Sequence, residues 1–133
     1  MPAGHNQTGR SKRAPPFVMI THVVYDSLAF RSLSPAAVSV YLELRRRYNG
    51  HNNGSIALSV RDAAERCHIN KDTAGKALAI LQNRNLIECV TQGGFTRKIR
   101  HAAEWRLLCE TCNETGARPS VTYRSWKPPP SEV

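Results

Sequence analysis

Negative charge is scarce in this chain. Ten Asp and Glu face nineteen Lys and Arg, which leaves a formal net charge of +9. So basic a small chain points to a polyanionic partner, because phosphates neutralised by Lys and Arg release condensed counterions. Aromatic residues are also few, at 7%, so a core has to rest on Leu, Ile, Val and Ala. Hydrophobic residues make up 41% of the 133 positions, slightly lean but enough for one core. Long apolar runs are missing, and none nears the roughly 18 residues that a membrane-spanning helix takes. The first sixteen residues, MPAGHNQTGRSKRAPP, carry no apolar stretch of the secretory kind. The expectation is a cytoplasmic, nucleoid-associated protein, with no membrane partner, whose four cysteines stay reduced.

Catalytic signatures are missing too. The chain has no phosphate-cradling glycine motif, no HExxH and no nucleophile elbow, and His22, His51, His68 and His101 are scattered along it. No enzymatic activity, cofactor or small-molecule ligand is expected. Cys109 and Cys112 form one close pair, but structural zinc usually takes four ligands, often in two such pairs. The other candidates, Cys67, Cys89 and His101, fall on predicted helix or strand positions, so no metal is expected. No βαβ pattern surrounds the pair to support a redox reading.

What is present is an ordered series of helix and strand signals. Residues 1–16 read as a disordered basic arm carrying Arg10, Lys12 and Arg13. The run FVMITHVVY from Phe17 opens as a short strand or extended segment, and Asp26 is placed to cap a short helix with Leu28, Ala29 and Phe30. Ser34 and Pro35 start a helix to about Tyr48, since Ser caps and Pro fits the first turn. Its apolar face is expected at Val38, Tyr41, Leu42, Leu44 and Tyr48, with Arg45, Arg46 and Arg47 at the end where cations suit the dipole. Asn49 to Ser55 is a turn, and Ile56 to Leu58 one very short strand.

Ser59 and Asp62 have capping-box spacing, with Asp in place of the usual Glu or Gln. The helix Val60 to Cys67 then shows one apolar face, formed by Val60, Ala63, Ala64 and Cys67. His68 and Ile69 form a turn, and Asn70 caps a helix reaching about Arg84, whose inner face is Ala74, Ala77, Leu78 and Leu81. Leu86 to Thr91 reads as a strand, Gln92 to Gly94 as a turn, FTRKIRH as the returning arm and Ala103 to Leu108 as a second strand. Residues 109–133 read as a loosely ordered tail, with Tyr123 or Trp126 as candidate pins.

A helix of about eight residues, a tight turn, a longer helix and a basic hairpin predict an α+β, mainly α chain. They predict a winged helix-turn-helix domain over residues 17–108 with a C-terminal β-hairpin wing. The chemistry follows the pattern. Small residues let the two helices cross closely, and a polar N-terminal half lets the second helix enter a major groove about 12 Å wide. Thr73 and Lys76 are the candidates for base edges, Lys reading guanine O6 or N7. Asn70 and Lys71 stand at the helix start, where backbone N–H groups favour phosphate. Ser59 and Arg61 begin the preceding helix and are candidates for the DNA backbone. Arg97, Lys98 and Arg100 are candidates for phosphate or minor groove. For each of these cations the alternative is a solvated surface charge.

The segment SVRDAAERCHINKDTAGKALAILQNRNLIECV resembles the central segment of winged helix regulators. The LSPAA helix start, the RYNGHNNGSIALSVRDAA stretch and the FTRKIRHAAEWRLL wing resemble helix-turn-helix proteins of alphaproteobacterial type. The likeness spans about Phe17 to Leu108. Asn85 stands where the pattern has Gly, and Gly75 interrupts the recognition helix. The resemblance implies double-stranded DNA as partner. Such relatives include transcription regulators, acting as homodimers on two-fold sites, and plasmid replication initiators. A winged helix used as a protein interaction module is the alternative from another class. The homodimer contacts are expected in the segment from Phe17 and around Trp126.

Overall fold

The computed structural model describes residues 15–96 and 99–129, with residues 94–96 and 99–101 described by their backbone alone. Five α-helices start at a side-chain oxygen that accepts the N–H of the third residue on. The caps are Thr21 for α1 (His22–Asp26), Ser27 for α2 (Leu28–Arg31) and Ser34 for α3 (Pro35–Arg47). Ser59 caps α4 (Val60–Cys67) and Asn70 caps α5 (Lys71–Asn83). Each cap satisfies one of the N–H groups that a helix start leaves open. Of the two forms expected for the start of the Phe17 segment, the strand is not formed, and the run turns helical at His22; Ser27 rather than Asp26 caps the second short helix.

Helix α3 buries Ala37, Val40, Tyr41, Leu44 and Arg45. Leu42, expected inside, is 40% exposed. The buried positions step by three and four from Ala37, a phase that carries Leu42 to the outer side. Val60, also expected on an inner face, is exposed, while Ala63 and Ala64 behind it are buried. Helix α5 buries the four expected residues, Ala74, Ala77, Leu78 and Leu81. Helix α5 packs on both α3 and α4.

The strands are β1 (Ile56–Ala57), β2 (Ile87–Thr91), β3 (Gly94–Thr96), β4 (Ile99–His101) and β5 (Glu104–Leu107). β5 lies between β1 and β2 in one antiparallel sheet, and β3 pairs with β4 in a second ladder. The fold is therefore α+β and mainly helical. The pairs Thr91 with Glu104 and Gly94 with His101 keep one register, so the hairpin runs on past Gln92–Gly94, where a turn was expected. Residues 97–98, between β3 and β4 in sequence, lie outside the described residues. Glycine is needed at Gly93 because a Cβ there would lie 2.9 Å from the Ala103 nitrogen. That close approach of two strands explains a turn-like sequence inside a ladder.

Residues 108–126 are held more firmly than the tail expected from their composition. Fully buried Asn53 organises them. Its Nδ2 donates to the carbonyls of Leu107, Glu110 and Thr111 at 2.9, 3.2 and 3.0 Å, and its Oδ1 accepts from the Leu107 N–H at 2.6 Å. Tyr123, in a short 3-10 helix (Thr122–Ser125), is buried against the core, and the Trp126 ring lies 4.0 Å from the Arg84 guanidinium. A single amide that serves four backbone groups replaces the apolar periodicity that the segment lacks.

Candidate nucleic-acid interface

Helices α4 and α5 meet through a three-residue turn that their own backbones terminate. His68 takes the left-handed conformation, φ 56° and ψ 46°, and its N–H returns to the Ala64 carbonyl. The Ile69 N–H reaches the same oxygen at 3.0 Å. Asn70 Oδ1 then accepts the Thr73 N–H at 2.7 Å and opens α5. The inner faces of the pair are small: Ala63, Ala64, Ala74 and Ala77 are all buried. At the far end Asn85, φ 62°, ends the helix in the conformation that Asn accepts more readily than most residues. The cap expected of Asn85 is met in that way.

The start of α4 is tied to the sheet. The Leu58 N–H donates to the Ala103 carbonyl at 3.0 Å, and Trp105 Nε1 donates to the Leu58 carbonyl at 2.9 Å. Ser59 follows directly, its Oγ accepting the Asp62 N–H at 3.0 Å. The base of the long hairpin and the first turn of α4 thus hold one another in place.

These contacts sort the expected site residues. Ser59 and Asn70 use their side-chain oxygens as caps. Thr73 is half-buried, with its N–H taken by Asn70. Arg61, Lys71 and Lys76 are exposed, and among the described residues none has a carboxylate within ion-pair distance. Asp72 is exposed between the two lysines. A Cβ added at Gly75 would meet nothing within 4 Å, so internal packing does not require glycine there. Arg97 and Lys98 lie outside the described residues. Arg100 lies in β4 opposite Phe95, known here by its backbone.

Other cations are taken up by the fold. Arg47 binds Glu43 at 2.8 Å and the Ala57 carbonyl at 3.0 Å. Arg66 reaches the same Glu43 at 3.5 Å, and Arg106 reaches Glu88 at 3.6 Å. Arg45 is 7% exposed and bonds Glu110 and the Met19 carbonyl. Of the three adjacent arginines, Arg46 alone is exposed. Nothing in their spacing distinguishes them. The signal that separates Arg45 from Arg46 is the helical phase of Tyr41 and Leu44.

Cys109 and Cys112 face different partners. Cys109 lies by Tyr41 and Arg45, whereas buried Cys112 lies 3.6 Å from the Asn53 carbonyl. Among the described residues no group of three or more His, Cys, Asp or Glu side chains is placed to hold a metal ion. Also among them, no helix is long and apolar enough to cross a membrane. Comparison with protein-family models, curated proteins and solved structures gives no match.

Proposed function

We propose that this chain is a winged helix-turn-helix protein that binds double-stranded DNA. In this reading α5 enters the major groove and the hairpin from β2 to β5 is the wing. The observation that carries it is the solvent face at the start of α5, where exposed Lys71 and Lys76, like exposed Arg61 at the start of α4, have no carboxylate partner among the described residues. Three exposed cations without an ion-pair partner among the described residues, while five other arginines are engaged by carboxylates, carbonyls or an aromatic ring, suit a phosphate surface. The order β1, β5, β2 beside α3, α4 and α5 supports the winged form, because the two long strands that follow the second helix close on the short one before it.

Lys76 and Thr73 are proposed for base edges, and Lys71, Arg61 and the Asn70 and Ser59 turns for the DNA backbone. Arg97, Lys98 and Arg100 are proposed for the wing. The role is that of a sequence-specific transcription regulator. Homodimerisation is part of the proposal, since one recognition helix reads only a few base pairs. Exposed Phe17, Met19 and Val23 near the N-terminal helix supply apolar surface for it.

Mobility-shift titration of a random-sequence duplex at rising salt tests the reading. Binding should weaken steeply with salt, with a log–log slope of about −0.9 for each phosphate that the protein neutralises. Absence of duplex binding at low salt would overturn it.

A further inference from the structure

The hairpin is built as two ladders joined by a neck. On the helix side Cys89 pairs with Trp105, and the next pair is Thr91 with Glu104, so Val90 is one residue too many on its strand. An extra residue of this kind bends a strand and increases its twist. Residues 92–93 and 102–103 then belong to neither ladder, and pairing resumes at Gly94 with His101. Gly93 lies in that gap, too close to the Ala103 nitrogen for a Cβ. The neck is held by one residue outside the hairpin. The Leu58 N–H donates to the Ala103 carbonyl at 3.0 Å, and the Leu58 carbonyl accepts the Trp105 indole N–H at 2.9 Å. Both side chains are buried, where an indole N–H without an acceptor is costly. Leu58 directly precedes Ser59, the cap of α4, and α4 packs on α5. A single residue therefore ties the neck to the start of the helix pair.

We propose that this neck aims the wing, with Trp105 as its positioning residue: it holds the β3–β4 ladder at a fixed angle to α5, so that one duplex meets both. The inference rests on the DNA-binding reading. Trp105 is buried and acts on DNA only through the backbone that it holds. The Val90 bulge sets the direction in which the outer ladder leaves the sheet, and the two bonds to Leu58 keep that direction constant. A ladder held in this way presents its cations already ordered, whereas a swinging one loses that freedom on binding.

Two variants of the full chain test it. Deletion of Val90, an exposed residue, removes the bulge and leaves the pairs on either side in place. Trp105→Phe removes the indole N–H and keeps an aromatic ring; should it unfold, the deletion carries the test. Residual dipolar couplings of the free chain read the angle of the β3–β4 ladder against α5. In the native chain both should fit one alignment. Deleting Val90 should rotate the ladder, and Trp105→Phe should shrink its couplings through motion. Mobility shift then reads the wing's share of binding. In the native chain, Arg97→Ala, Lys98→Ala and Arg100→Ala together should weaken duplex binding about tenfold and lower the salt slope by roughly 0.9 for each phosphate released. On either variant the same three changes should cost less than about threefold, because a misaimed wing has little to lose. An equal loss on all backgrounds, a ladder unmoved by the deletion, or one that already moves freely of α5 in the native chain would overturn the proposal. Absence of duplex binding by the native chain would sink the DNA reading alone, and the couplings would still decide on the neck.

Discussion

The α4–α5 surface and the region joining α3 to the chain after β5 use the same residue types in opposite ways. On the first, Arg61, Lys71 and Lys76 are exposed and have no carboxylate partner among the described residues, and the Ser59 and Asn70 side chains bond within three residues of themselves. In the second, Arg45 and Asn53 are buried, and their partners are 26 to 65 residues away. Local bonds build a helix start and leave its outer face available. Distant bonds hold the molecule together and leave little for a ligand. A basic composition therefore says nothing of function until the cations bound internally are set aside.

Four substitutions probe this contrast from either side. Asn53→Ala should have the largest effect, about 3 kcal/mol of lost stability, because it strips partners from four backbone groups in a buried place. Denaturant unfolding would show it as a lower midpoint; a loss under 1 kcal/mol (on the order of one ordinary hydrogen bond) would mean that the long-range bonds matter little. The double change Lys71→Ala with Lys76→Ala should do the reverse. Stability should stay within about 0.5 kcal/mol, as for ordinary surface positions. Duplex affinity should fall roughly tenfold and the salt slope by about 2, as measured by mobility shift.

Asn70→Ala should cost about 1 kcal/mol through the missing cap. That cost would appear in thermal unfolding, and duplex binding should weaken with it if the helix start touches phosphate. Gly75→Ala should have the smallest effect, stabilising by up to about 1 kcal/mol since the position is open. If α5 approaches DNA closely there, the same change should weaken binding, so a more stable variant that binds less well would support a groove-facing helix. Unchanged binding would remove Gly75 from the DNA-facing surface.

How far the sequence alone reaches follows the same division. Ser34 with Pro35, Ser59 with Asp62, and Asn70 mark their helix starts because capping is decided within one turn. Asn85 marks its helix end for a similar reason. The inner face of α5 is legible because four apolar residues repeat at three and four. By contrast, the phase of α3 is misjudged at Leu42, since a helix with Val38, Val40, Tyr41 and Leu42 offers more than one apolar side. The long hairpin is hidden by Gln92–Gly94, where glycine answers a close strand approach rather than a turn. Asn53 sits in a stretch, NGHNNGS, whose composition reads as loop, and nothing local tells the buried Asn from Asn52 beside it. Of the candidate site, the three free cations are visible as charges, but their freedom depends on where Glu43, Glu88 and Glu110 lie in three dimensions.

The placement of Asn53 has a consequence for the order of assembly. Its amide group is made early, but the carbonyls that satisfy it belong to residues 107, 110 and 111. In a chain synthesised from its N-terminus, the pairing of α4 with α5 is complete in sequence while Asn53 still lacks those partners. Closing a loop of more than fifty residues is the slow kind of event in a small domain. Residues 107, 110 and 111, which emerge more than fifty residues after Asn53, therefore complete the set of hydrogen bonds on which its burial depends. A ribosome stalled before residue 107 would hold the two helices next to an unfinished interior.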